Sequence, residues 1–159
     1  MKKKIKNNFD WQVIIQHDLL LNHLKSHYLS IQKLIKYIFF NKDSYETMNL
    51  KYDEEQPKML FIIKDNKWVA YDKDYILDSL VLQIWGQLYN CYIQIPDINE
   101  YKKSLVCEET YERLEKFMDE FNKFCNNGSI SNSLIINEQK KSALDLIILL
   151  SKKYKKKLV

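Results

Sequence analysis

The chain has 159 residues, 46% hydrophobic and 29% charged, with only two Gly and two Pro, which fits one compact domain and excludes a long flexible linker or a mostly disordered chain. Glycine lies far below its usual share of roughly 7%, so Gly-rich phosphate loops, dinucleotide fingerprints and collagen-like repeats are excluded. The net charge is +4 and Arg113 is the sole arginine; bidentate reading of guanine favours arginine's planar fork, so the chain is poorly equipped for base-specific recognition, while sequence-blind attraction to polyanions stays open.

In chain order, residues 1–9 form a basic tail. Over 10–41 the apolar positions Trp11, Ile14, Leu20, Leu21, Leu24, Tyr28, Ile31, Leu34, Ile35 and Ile38 recur at helical spacing, predicting two helices or one kinked helix, with Ser30 as a cap for the second part. The polar stretch to Pro57 predicts a loop. Two short runs rich in β-branched and aromatic residues flank Asp65-Asn66 and predict a β-hairpin over 59–71. A central helix follows over 74–94, started by Asp72 or Asp74 and carrying Ile76, Leu77, Leu80, Val81, Ile84, Trp85 and Leu88; Gly86 inside it marks a close approach of another backbone, and Pro96 stops it. After a loop, a helix over 108–126 turns Tyr111, Leu114, Phe117, Met118, Phe121 and Phe124 to the core and stops at Asn126-Asn127-Gly128. Asn137 caps a last helix, 137–157, with a basic end. The expected fold is α+β, mostly α: about five helices around one β-hairpin in a single domain.

Cys91, Cys107 and Cys125 are odd in number and widely spaced, which predicts free thiols in a reducing compartment. No run is long and apolar enough to predict a membrane span, so no membrane insertion is expected. His23 and His27 stand four apart, half of a metal site whose other half is absent; no metal and no cofactor are expected. A Cys107–His pair lacks local support. The carboxylates Asp53, Glu54 and Glu55, and those of 108–120, read as solvated surface rather than general acids or bases.

The basic excess concentrates in Lys2, Lys3, Lys4 and Lys6 and in Lys152, Lys153, Lys155, Lys156 and Lys157. Two readings stand for these runs: solubilising ends, or a patch that meets nucleic acid when the first and last helices lie side by side. Heavy use of Lys, Asn, Ile and Tyr, with Ala only at Ala70 and Ala143, points to an AT-rich coding genome.

Two stretches carry a resemblance. One runs from Ser30 through Phe40-Asn41 to Tyr45-Glu46-Thr47-Met48-Asn49-Leu50; the other is Lys64-Asp-Asn-Lys-Trp68-Val-Ala-Tyr-Asp72, leading into Ile76-Leu77. Together, over about 30–92, they resemble a C-terminal module of uncharacterised proteins of giant nucleocytoplasmic large DNA viruses, often placed behind a zinc finger. The resemblance implies a helix, a polar stretch, strands with a Lys-Trp pair and a further helix. Phe40, Asn41, Glu46, Asn49 and Trp68 match its motif, whereas Phe39 and Met48 stand where the family has histidines. DNA binding is not carried over, because these residues hold no counterpart of the zinc finger.

These observations lead to an expected non-enzymatic protein-interaction or assembly module, working in the cytoplasm of an infected cell or in a viral factory, with a protein partner or a second copy as its ligand. The surplus of large apolar residues, including Trp11, Trp85 and Tyr101, motivates this reading. The alternative is sequence-nonspecific binding of DNA or RNA through the terminal lysines. A third reading, an enzyme site around Glu46, Asn49 and Trp68, requires a polar pocket beside the hairpin holding a buried carboxyl group.

Overall fold

A computed structural model describes residues 12–40, 49–127 and 134–157. In its first stretch Val13 and Ile15 are buried while Ile14 between them is 86% exposed, the period-two pattern of extended chain. Residues 12–16 are therefore not part of a helix, as the 10–41 periodicity had implied. Three consecutive β-branched residues favour the extended form locally. Two glutamines from a distant helix complete it: Gln83 Oε1 accepts from the Val13 N–H at 2.8 Å, and Gln87 Oε1 from the Ile15 N–H at 2.9 Å.

Helix α1 then spans His17–Leu24, and α2 spans Ser30–Phe39 after a short 3-10 turn at His27–Leu29. Ser30 does not cap α2; its buried hydroxyl donates to the His23 carbonyl at 2.8 Å, satisfying an acceptor at the end of α1. Leu34, Ile35 and Ile31 bury one face of α2 completely.

The expected hairpin is present as β2, Met59–Lys64, and β3, Lys67–Asp72. Asp65 and Asn66 have φ of 54° and 63°, both in the left-handed region that a two-residue type I′ turn demands. A third strand, β1 at Leu50–Lys51, pairs antiparallel with β2 inside the stretch expected to be loop, giving the order β1-β2-β3. Leu50, Leu60 and Ile62 turn inward and are buried.

Helix α3, Lys73–Ile93, begins at Asp72, whose carboxylate accepts from the Tyr75 N–H at 3.2 Å. It packs on α1, α2, the sheet and two later helices: α5, Glu108–Asn127, and α6, Leu134–Lys157. Between them α4, Ile98–Ser104, occupies the stretch expected to be loop, with Asp97 Oδ1 accepting from the N–H groups of Asn99 and Glu100. Asn137 lies inside α6 rather than capping it. The expected stop at Gly128 falls outside the described residues. Six α-helices and a three-stranded antiparallel sheet thus stand among the described residues, an α+β, mostly α arrangement.

Trp85 sits at the centre of the core, fully buried, its ring stacked on Phe117 at 4.7 Å. It contributes nothing to the apolar surplus expected at the surface. Tyr101 is half-buried against the same cluster, which runs from Val13 to Tyr154. Gly86 faces the ring of Phe121 rather than a backbone: an added Cβ would lie 3.6 Å from Phe121 Cζ, ordinary van der Waals contact. Gly86→Ala is therefore expected to stabilise the fold by up to about 1 kcal/mol through helix propensity alone, and a lowered thermal midpoint would show a crowding that the geometry does not contain.

Candidate functional site: the outer face of the sheet

Alternation along the strands sends Leu50, Leu60 and Ile62 to the core and their neighbours outward. The register sets Lys51, Phe61 and Ala70 in one row, and Ile63 with Trp68 in the next. Asn49 joins that second row, its carbonyl accepting from the Ile63 N–H at 3.1 Å. Phe61 and Ile63 are half-exposed, and Trp68 is exposed. The Lys51 ammonium lies 4.3 Å from the centre of the Trp68 ring and 5.6 Å from that of Phe61, cation–π distances that fix the lysine over both rings. The result is a solvent-facing aromatic surface backed by a solid core.

Two of the motif positions, Asn49 and Trp68, are brought together here from 19 residues apart. Phe40 is elsewhere and structural: it is buried, and its carbonyl accepts from the Tyr154 hydroxyl at 2.7 Å, tying α6 to the end of α2. Asn41 and Glu46 fall outside the described residues. Phe61 and Ile63 carried no signal as site residues in the sequence; only the strand register reveals that they share a face with Trp68.

Of the terminal lysines, Lys2, Lys3, Lys4 and Lys6 also fall outside the described residues, and the side chains of Lys155, Lys156 and Lys157 are not described. Lys152 reaches back to Glu54, 3.0 Å away, in an exposed pair. Helix α6 packs on α2, α3 and β1, whereas α1 packs on α3 and α2; the Tyr52 N–H donates to the Ser151 hydroxyl at 2.9 Å, setting the C-terminal half of α6 against the strand. The C-terminal lysines thus begin beside the acidic turn Asp53-Glu54-Glu55.

A cleft of about 480 Å³ lies between α3 and the extended segment, lined by Gln12, Val13, Ile14, Leu82, Gln83, Gly86, Gln87 and Asn90. Its lining holds amides and apolar groups without a carboxyl group, and it belongs to α3 rather than to the hairpin. Two of the three imidazoles meet the backbone: His23 Nδ1 lies 2.8 Å from the Leu19 carbonyl oxygen, and His27 Nδ1 accepts from the Tyr28 N–H at 2.9 Å. His27 also has φ of 41°. Burial, with Arg113 and Lys33 nearby, holds its pKa below the usual histidine value, in keeping with an unprotonated Nδ1.

One carboxylate expected to be solvated is solvated only in part. Glu120 has a buried oxygen, Oε2, that meets no donor among the described residues. Burial first, then the neighbouring Glu120, pushes the Tyr28 phenol up to about 12, and burial pushes Tyr101 up to about 12 as well. Both folded-state values exceed the ordinary tyrosine value of about 10, so their contribution to stability is complete below about pH 10 and is lost as pH rises towards 12. The thermal midpoint is expected to fall between pH 10 and 12, and to fall less in Tyr28→Phe; a wild-type profile flat to pH 12 contradicts this.

Fold and surface together define an α+β protein, mostly helical, that presents an aromatic sheet face to solvent. No family model, curated protein or solved structure matches the chain. No helix among the described residues is long and apolar enough to cross a membrane.

Proposed function

We propose that the protein is a non-enzymatic interaction and assembly module that docks a protein partner, or another copy of itself, on the outer face of its sheet. The observation that carries this reading is the joint exposure of Phe61, Ile63 and Trp68 in adjoining rows. Aromatic side chains gathered on one solvent-facing surface gain most when a partner covers them, and tryptophan is among the residues that dominate binding energy at interfaces. Lys51, already held over two rings, supplies a charge at the rim without a long side chain left to order.

The resemblance to the giant-virus module supports the same surface, since Asn49 and Trp68 lie on it. We extend the proposal accordingly to a large DNA virus protein acting in the cytoplasm of the infected cell. Nucleic-acid binding by the terminal lysines draws less support, because Lys152 is matched by Glu54.

The test is affinity capture with the full chain, wild type against Phe61→Ser and against a Lys152→Gln/Lys153→Gln control. The expected result is a bound protein lost in the Phe61 variant and retained in the control. Capture indifferent to Phe61→Ser contradicts the reading; a bound polynucleotide released steeply by salt, and lost in the lysine variant, favours the alternative.

A further inference from the structure

Strand β3 is six residues long, and among the described residues it pairs with β2 along one edge. Its type I′ turn makes Lys64 and Lys67 the pair that closes the hairpin, so Lys67, Val69 and Tyr71 point their N–H and C=O groups at β2. Trp68 and Ala70 point theirs the other way. Among the described residues no backbone group of another element meets that far edge. Natural sheets blunt such an edge with proline, a bulge, extreme shortness or inserted charge. Here the register is unbroken from Met59↔Asp72 to Lys64↔Lys67, and Trp68-Val69-Ala70-Tyr71 carries no charge and no proline.

The edge is complementary to itself. Laid antiparallel against a second β3 about a two-fold axis at Val69, Trp68 of each copy exchanges both backbone hydrogen bonds with Ala70 of the other, making four in all. On the outer face this sets the large indole of Trp68 beside the methyl group of Ala70, so bulk meets space twice. In this register Lys67 faces Tyr71 of its mate, whereas an in-register parallel pairing would set Lys67 beside Lys67, which disfavours the parallel alternative. The aromatic faces of the two sheets become continuous.

We infer that the free edge of β3 pairs antiparallel with the same edge of a second copy, forming a six-stranded sheet across a two-fold axis at Val69. This goes beyond the outer-face reading: it adds a second interface at the edge of the same sheet and leaves the joined outer faces open to the docked partner.

The test is sedimentation velocity on the full chain over a range of micromolar concentrations, wild type against Ala70→Pro. The Ala70 N–H points away from β2, so proline there removes no bond within the chain, and edge strands accept it. The expected result is a wild-type dimer and a monomeric variant with unchanged circular dichroism, the dissociation constant rising on the order of 100-fold or more for the loss of two hydrogen bonds and the clash of two rings. Amide exchange at Trp68 and Ala70 in the wild type is the second measurement, and it stands even if the variant fails to fold. Slowing with concentration supports the pairing; fast exchange at every concentration overturns it. A dimer that survives in folded Ala70→Pro overturns the edge pairing while leaving the outer-face reading intact. Failure of that reading has its own signature, capture indifferent to Phe61→Ser.

Discussion

Trp85→Ala is expected to destabilise the fold by about 3–5 kcal/mol, the range for removing a large aromatic from a closed core. Domains of this size are stable by about 5–15 kcal/mol, so a large share of the whole is at stake in one side chain. The ring is fully buried in the middle of α3, stacked on Phe117 at 4.7 Å with 16° between planes and tilted against Phe121 at 5.1 Å. Helices α3 and α5 meet through these rings, and Tyr28 packs on Phe117 as well, 4.9 Å between centroids. Neither helix can close over the hole without shifting the other. Urea unfolding should show a midpoint shifted strongly downward with its slope retained. Trp85→Phe is the informative companion: no acceptor among the described residues meets the buried indole N–H, so phenylalanine keeps an aromatic in place and removes an unsatisfied donor. Its cost should stay below about 1.5 kcal/mol. Equal losses in the two variants would contradict the account of the core.

The second large effect is expected at Gln87. Its amide accepts from the Ile15 N–H at 2.9 Å and also donates to the Val13 carbonyl, so two of the bonds that hold the extended segment on α3 come from this one side chain. Gln83, one turn earlier, supplies the third while its own amide N–H reaches Ser79 at 2.8 Å. Gln87→Ala leaves a part-buried donor and a part-buried acceptor unpaired, at about 1–3 kcal/mol each. The loss is capped, because residues 12–16 can lift away and be hydrated, giving up the burial of Val13 and Ile15. The expected readout is local: amide exchange at Val13 and Ile15 accelerates by two orders of magnitude or more while α3 and α5 keep their protection. Gln87→Glu should be almost as damaging, since a carboxylate still accepts from Ile15 but repels the Val13 carbonyl. Unchanged exchange at Val13 and Ile15 in both variants would show that burial alone holds the segment.

The elements that were legible in the sequence are those whose apolar pattern has enough length to show a period. Helix α3 declares itself by recurrent Ile76, Leu80, Ile84 and Leu88 and by its cap at Asp72; the hairpin does so by two β-branched runs around Asp65-Asn66. Strand β1 could not be read, because two residues have no period and Leu50 pairs with Ile62 across 12 positions. The extended form of residues 12–16 depends on Gln83 and Gln87, 70 and 72 residues away, so local spacing alone led to a helix. Helix α4 did carry a local sign, the aspartate of Asp97-Ile-Asn-Glu100 at a helix start, overshadowed by Pro96 and by the brevity of the helix. Of the candidate site, Trp68 and Asn49 were visible through the resemblance, while Phe61 and Ile63 needed the strand register to place them beside it. Ser30 shows the same limit in reverse: its type is right for a cap, but its hydroxyl is taken by the His23 carbonyl.

The central claim, that the outer face of the sheet is where this protein binds, is tested most directly by hydroxyl-radical footprinting of the full chain, free and assembled with the partner that affinity capture retains, with oxidation read by mass spectrometry. Among the described tryptophans, Trp68 is exposed and Trp85 is fully buried, so the second is an internal reference. The account predicts that Trp68 and Phe61 are oxidised in the free protein and become protected on assembly, while Trp85 stays unreactive in both. Equal labelling of Trp68 and Phe61 in the free and assembled states, with protection appearing on another surface, would contradict it.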